Sequence, residues 1–130
     1  MNTIGVSLHP VMYSPSTVKV SITNKSPDTC YEVPSQVFTE NNLADNNFRV
    51  TDQGGQRVTY IGPQIDRIST YTALLPGETK SVKVQLDTLY DLPAGHYTVQ
   101  YKAAANYRAC SNPADSHRET LQSNLIDIKV

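Results

Sequence analysis

Apolar and polar residues alternate with period two through much of the chain. Thr3-Ile4-Gly5-Val6-Ser7-Leu8 is one such run, and His9-Pro10 and Ser14-Pro15 interrupt it. Val18, Val20 and Ile22 follow, with Lys19, Ser21 and Thr23 between them. This is the clearest half-buried strand pattern in the sequence. Asn24-Lys25-Ser26-Pro27-Asp28 ends it as a turn. Residues 30–33 alternate more weakly, and Pro34 marks an edge or an end. Asn41 to Asn47 is polar and reads as a loop. Phe48 and Val50, then Gln53-Gly54-Gly55-Gln56, then Val58 and Tyr60, read as a hairpin closed by Gly62-Pro63. The glycine pair supplies the positive φ that such a turn needs. Leu74 to Glu78 is a turn. Val82/Val84/Leu86, Tyr97/Val99/Tyr101 and Leu125 to Val130 give three more strands.

No window sustains helical periodicity, and there is no fixed repeat or low-complexity tract. The expectation is an all-β, Ig-like antiparallel sandwich of about seven strands, forming one domain over residues 1–130. The longest irregular stretch expected is Ala103 to Thr120. A connection of that length is usually functional or disordered. One motif sharpens the architecture: Asp91-Leu92-Pro93-Ala94-Gly95-His96-Tyr97-Thr98-Val99. In Ig-type sandwiches a Tyr near the start of the sixth strand bonds back to the preceding turn, and Gly permits the corner. Tyr97 and Gly95 fit those places, and Gly77 fits the Leu74–Glu78 turn. Val99 stands where antibody domains carry their second core Cys. The chain also has no Trp, so antibody-family membership is excluded while the sandwich class stands.

The charge balance is even, with Lys+Arg 11 against Asp+Glu 12. Nucleic-acid binders usually carry a basic surplus, so that class is set aside. No apolar run is long enough for a spanning helix. The first ten residues lack a basic region followed by an apolar stretch, so no secretory signal is visible. A cytoplasmic protein and a mature secreted segment both fit that beginning.

The search for chemistry returns little. HExxH, GxSxG, P-loop and dinucleotide-turn patterns are absent, and His9, His96 and His117 stand far apart. The chain therefore reads as non-enzymatic, without cofactor, metal or catalytic residues. Cys30 opens the third strand and Cys110 lies in the connection after the sixth. Those two loops share one end of a sandwich. A disulfide closing about 80 residues would add roughly 4 kcal/mol on the chain-entropy account, and would imply an oxidising, secreted or periplasmic home. Free thiols and a metal-capturing thiol stay open beside it. Cys110-x4-Asp115-x-His117-x-Glu119 holds ligand-type residues at a spacing that matches no metal pattern, so it reads as a solvated loop. Asn24-Lys25-Ser26 is a glycosylation acceptor pattern, followed by Pro27 and short enough to arise by chance. Asp28, Asp52 and Glu78 suit side-chain-to-backbone bonds in turns. Most tyrosines read as strand and rim packing.

Five pieces occur in a characteristic order. They are Phe48-x-Val50-x-Asp52-x-Gly54, Val58-x-Tyr60-x-Gly62-Pro63, Arg67, Leu75-x-Gly77-Glu78, and Tyr90-x-Leu92-x-x-Gly95-x-Tyr97-x-Val99-x-Tyr101. Together they resemble the N-terminal non-catalytic domain of deuterolysin-type zinc metallopeptidases, the peptidyl-Lys and aspzincin enzymes, over Val18 to Lys102. The turn and tyrosine pieces also resemble bacterial intracellular proteinase inhibitor domains. The resemblance implies an Ig-like module that accompanies a zinc protease. In that family a separate catalytic domain carries HExxH and an Asp ligand, none of which occurs here, and the Cys110 segment departs from the pattern.

The implied role is propeptide-like, inhibitory or accessory, with a protein partner: a zinc metallopeptidase. Contact would come from the 103–120 segment, with Asn106, Tyr107, Arg108, Asp115 and His117, or from the 63–73 segment, with Arg67 and Tyr71. A free Cys30 or Cys110 could ligate the enzyme's zinc. The alternatives are an extracellular adhesion or carbohydrate-binding sandwich, with sugar stacking on Tyr71 or Tyr107, and a purely structural domain.

Overall fold

A computed structural model describes residues 3–34, 48–62 and 71–130. Among these residues it has nine strands and one 3-10 turn, Leu86–Thr88. The strands are β1 (Ile4–Val11), β2 (Ser14–Asn24), β3 (Tyr31–Pro34), β4 (Phe48–Asp52), β5 (Tyr71–Leu74), β6 (Thr79–Gln85), β7 (His96–Ala109), β8 (Asn112–Gln122) and β9 (Ile126–Lys129). No helix among the described residues is long and apolar enough to cross a membrane.

The strands form an antiparallel sandwich. The small sheet has the order β1-β2-β6. The large sheet is built around β7, a strand of 14 residues. β4 pairs with its first half (Phe48↔Tyr101 to Asp52↔Tyr97), and β3 pairs near its end (Tyr31↔Ala109, Glu32↔Arg108). β5 pairs with β3. β8 and β9 pair with successive stretches of β7, Lys102–Ala109 and His96–Val99. They act as one strand broken at 123–125. The break has a cause. Asn124 turns its amide onto β1, accepting the Leu8 N–H at 2.8 Å and donating to the Leu8 carbonyl at 3.1 Å. Those edge groups would otherwise be open to a second chain, and Pro10 removes a further donor from the same edge. β1 thus runs through Pro10 because it is an edge strand.

The alternation seen in the sequence is the core. Ile4, Leu8, Val18, Val20, Ile22, Val82 and Val84 pack from the small sheet. Val33, Phe48, Val50, Leu74, Tyr97, Val99, Tyr101 and Leu121 pack from the large one. Tyr97 makes the expected corner: its hydroxyl donates to the Pro93 carbonyl at 2.5 Å. Gly95 exchanges two backbone bonds with Val130 (2.9 and 2.8 Å). Gly77 takes φ 77° in the β5–β6 turn, which lets its N–H reach the Asn24 carbonyl at 2.9 Å. In the 53–56 turn only Gly55 is left-handed, at φ 81°. The Asp52 carboxylate holds the rest by accepting the N–H groups of Gly54 and Gln56.

Two expectations are corrected. Residues 103–120 are not an irregular connection; they are the long hairpin of β7 and β8, in register from Lys102↔Gln122 to Arg108↔Ser116. β5 was also not expected as a strand. The loop expected at Asn41–Asn47 and the segment 63–70 lie outside the described residues.

Candidate functional site

Asn24 organises one end of the sandwich. It is fully buried. Its Nδ2 donates to the carbonyls of Thr29 (2.8 Å) and Leu74 (2.9 Å), and its Oδ1 accepts the Ser26 N–H (2.9 Å). One side chain therefore joins the end of β2, the β2–β3 turn and the end of β5. A buried amide engaged in this way is not a glycan acceptor in the folded protein.

The next link is covalent. Cys30 and Cys110 form a disulfide, with Cα atoms 5.4 Å apart. The Cys110 N–H also donates to the Cys30 carbonyl at 3.0 Å. The two loops do share one end, as the sandwich topology requires. The bond sits at the turn of the β7–β8 hairpin and fixes that turn to β3. No thiol remains free, so zinc capture by a thiolate is ruled out in this state. A disulfide is compatible with an extracellular location.

The hairpin distributes the expected contact residues over two sides, because side chains alternate along a strand. Toward the inner side stand Tyr107, Asp115 and His117. The His117 ring stacks on Tyr107, with centroids 5.2 Å apart, and Tyr31 meets Tyr107 edge-on at 5.4 Å. His117 Nε2 lies 3.0 Å from Asp115 Oδ1. The Tyr107 hydroxyl donates to Glu119 Oε2. Burial, then the hydrogen bond to Glu119, pushes the Tyr107 phenol up to about 12, against a smaller lowering by Thr3. It stays a proton donor at neutral pH. Toward the outer side, Arg108 Nε pairs with Glu32 Oε1 at 3.1 Å and its guanidinium covers the Tyr71 ring at 3.9 Å. Asn106, opposite Arg118, is exposed on that side. Arg67 lies outside the described residues.

The inner side of the hairpin end is only partly covered. Asp115 and His117 are on its inner side, yet their side chains are 47% and 46% exposed. By contrast Leu121, further back on the same side, is buried. Neither tyrosine offers a bare ring for sugar stacking: Tyr107 is 3% exposed and Arg108 covers Tyr71. No three His, Cys, Asp or Glu side chains among the described residues are placed to hold a metal ion. Tyr31, Glu32 and Glu119 belong to the cluster and were not singled out as contact residues. Their signal in the sequence was only the odd–even spacing of Asp115, His117 and Glu119.

No protein-family profile matches the chain, and no curated protein matches it. Among solved structures, an X-ray structure of the Northeast Structural Genomics Consortium target SoR45 is similar. It shares 13% identity at a TM-score of 0.50, over 99% of this chain and 88% of that one. At that identity the likeness bears on the fold alone.

Proposed function

We propose that the chain is a non-catalytic protein-binding module of an oxidising, extracellular or periplasmic compartment, and that the end of its β7–β8 hairpin docks on a partner. The observation that carries this reading is the stapled hairpin end, fixed at its turn by Cys30–Cys110 while its inner side stays open at Asp115 and His117. A segment ordered before binding loses little conformational freedom on docking. β8 also pairs only with β7 among the described residues, which leaves its outer edge for an extended strand of a partner.

A zinc metallopeptidase is the proposed partner class, with the module acting as inhibitor, propeptide-like mask or accessory domain. Support for that class comes from the order of the strand–turn pieces between Phe48 and Tyr101. The test is complex formation and inhibition with a deuterolysin-type metallopeptidase. Binding at ~10 µM or tighter, lost in Asn112→Arg and Ala114→Arg at the exposed hairpin tip, is expected. Absence of both complex and inhibition at that concentration would overturn the partner class. Binding that ignores both tip substitutions would overturn the hairpin as the docking element.

A further inference from the structure

The outer side of the small sheet has a composition that its fold does not require. β1, β2 and β6 contain no Asp or Glu, although the chain holds 12. The outward residues line up in rungs set by the strand register. Gly5, Thr23 and Thr79 form one, Ser7, Ser21 and Ser81 the next, and His9, Lys19 and Lys83 the third. In the third rung Lys19 lies directly opposite both His9 and Lys83. The like charges of Lys19 and Lys83, opposed across a strand pair, destabilise the pairing, and no carboxylate of β1, β2 or β6 relieves them. His9, Lys19 and Lys83 are all exposed.

A fourth basic group closes the other end. Lys25 stands just past β2, and its stem lies across Gly5, where a Cβ would collide with it. It is six residues from Lys19, roughly 20 Å along an extended strand. Between the two ends lie hydroxyls. Ser21 and Ser81 are hydrogen-bonded at 2.8 Å, as are Thr23 and Thr79 at 2.7 Å. Each pair shares one hydrogen, which leaves a second hydrogen and further lone pairs, accessible at the exposed Thr79 and Ser81. Two shallow hollows mark the ends, about 240 Å³ beside Lys25 and about 340 Å³ between Lys19 and Lys83.

We propose that this face binds an acidic polysaccharide laid along the strands, its sulfate or carboxylate groups at Lys25 and at the His9–Lys19–Lys83 rung and its hydroxyls on the Ser/Thr rungs. Charge complementarity demands an anionic occupant. A protein partner would be anchored by aromatic or apolar side chains, and the three rungs present none. A single-stranded nucleic acid would stack its bases on aromatics, which are likewise missing.

The experiment uses the full chain, with a heparin octasaccharide as the sulfated probe and an oligogalacturonate as the carboxylate-only probe, by calorimetry in low salt. Binding of at least one is expected. It should weaken about tenfold or more when Lys19→Gln, Lys25→Gln and Lys83→Gln are combined, because the loss is of screened charge attraction. Lys102→Gln with Lys129→Gln, in the other sheet, should leave it unchanged. Thr79→Val with Ser81→Val should weaken glycan binding further, with the melting temperature confirming that the variants are folded. The proposal is overturned if neither probe binds, or if the lysine variant binds as well as the parent. Duplex DNA binding as tightly as the glycans, with no loss in the hydroxyl variant, would also overturn it.

Discussion

Replacing Asn24 with Ala should be among the most damaging single changes that leave the hydrophobic core intact. The Leu74 carbonyl that it serves belongs to a residue with no exposure. Orphaning such a buried group costs about 1–3 kcal/mol. The bonds to Thr29 and Ser26 are only part-buried, so water can replace them in part, at about 0.5–1 kcal/mol each. The sum is about 2–5 kcal/mol, a large share of the ~5–15 kcal/mol that holds a domain together. Urea unfolding with the disulfide intact measures it. At a slope of about 2 kcal/mol per molar, the midpoint should fall by about 1–2.5 M. Asn24→Asp keeps the acceptor toward Ser26 but sets an oxygen against two carbonyls. It should be worse than Ala at pH 7, and partly relieved at pH 4, where a protonated acid can donate once. A loss below ~1 kcal/mol for Ala would refute the reasoning, since water would then be serving the site as well as the amide does.

Two other groups give contrasting expectations. The Tyr101 hydroxyl is buried without a hydrogen-bond partner among the described residues, and burial pushes its phenol well above the ordinary value. Tyr101→Phe removes an unsatisfied group while keeping the ring against Phe48. Thermal unfolding should show it neutral or stabilised by up to ~1 kcal/mol; a loss larger than that would mean the hydroxyl has a partner. Tyr107 should titrate near 12 in an ultraviolet titration of the folded protein, and lower in Glu119→Gln. Its protonated form is the one favoured by folding, so its contribution is complete below the unfolded value near 10 and is lost as pH rises from there toward 12. Stability that is flat across that window, or unchanged by Tyr107→Phe there, would count against the part-buried Tyr107–Glu119 pair.

What could be read from the sequence follows from what each strand faces. β2 and β6 show clean alternation because one side meets the core and the other meets solvent. The tyrosine corner was legible because Gly95 and Tyr97 keep a fixed spacing from the turn. The cysteine pairing was legible because topology alone brings their two loops together. The β7–β8 hairpin was not legible. Past Ala103 and Leu121 burial is confined to Tyr107 and Ala109 on β7, while β8, among its described residues, is exposed from Asn112 through Arg118, so the period-two signal fades into Asn-Pro-Ala-Asp-Ser-His-Arg-Glu. β5 is four residues long and, among the described residues, pairs only with β3. Asn24 was visible only as part of a turn, since nothing in Asn-Lys-Ser tells a buried amide from an exposed one.

The Asn24 amide and the disulfide are links in one series. Asn24 holds the Thr29 carbonyl; Thr29 precedes Cys30; Cys30 is bonded to Cys110 at the hairpin turn. The hairpin turn is thereby tied to the end of the small sheet through a single run of residues. Replacing both cysteines with Ala should remove about 4 kcal/mol on the chain-entropy account of the 80-residue closure. It should also loosen the Thr29–Cys30 segment, so that the amide bond to Thr29 is worth less than it was. The two losses should therefore fall short of additivity. A double-mutant cycle of Asn24→Ala with Cys30→Ala/Cys110→Ala should give a coupling of about 0.5–1.5 kcal/mol, above the ~0.3–0.5 kcal/mol seen between independent sites. The cysteine variant of marginal stability can be measured in a stabilising osmolyte, with all four proteins compared in the same buffer. Strict additivity would show that each link holds its own part of the structure. The hairpin end would then be rigid only at its turn, and the docking role of the hairpin would lose the preorganisation it depends on.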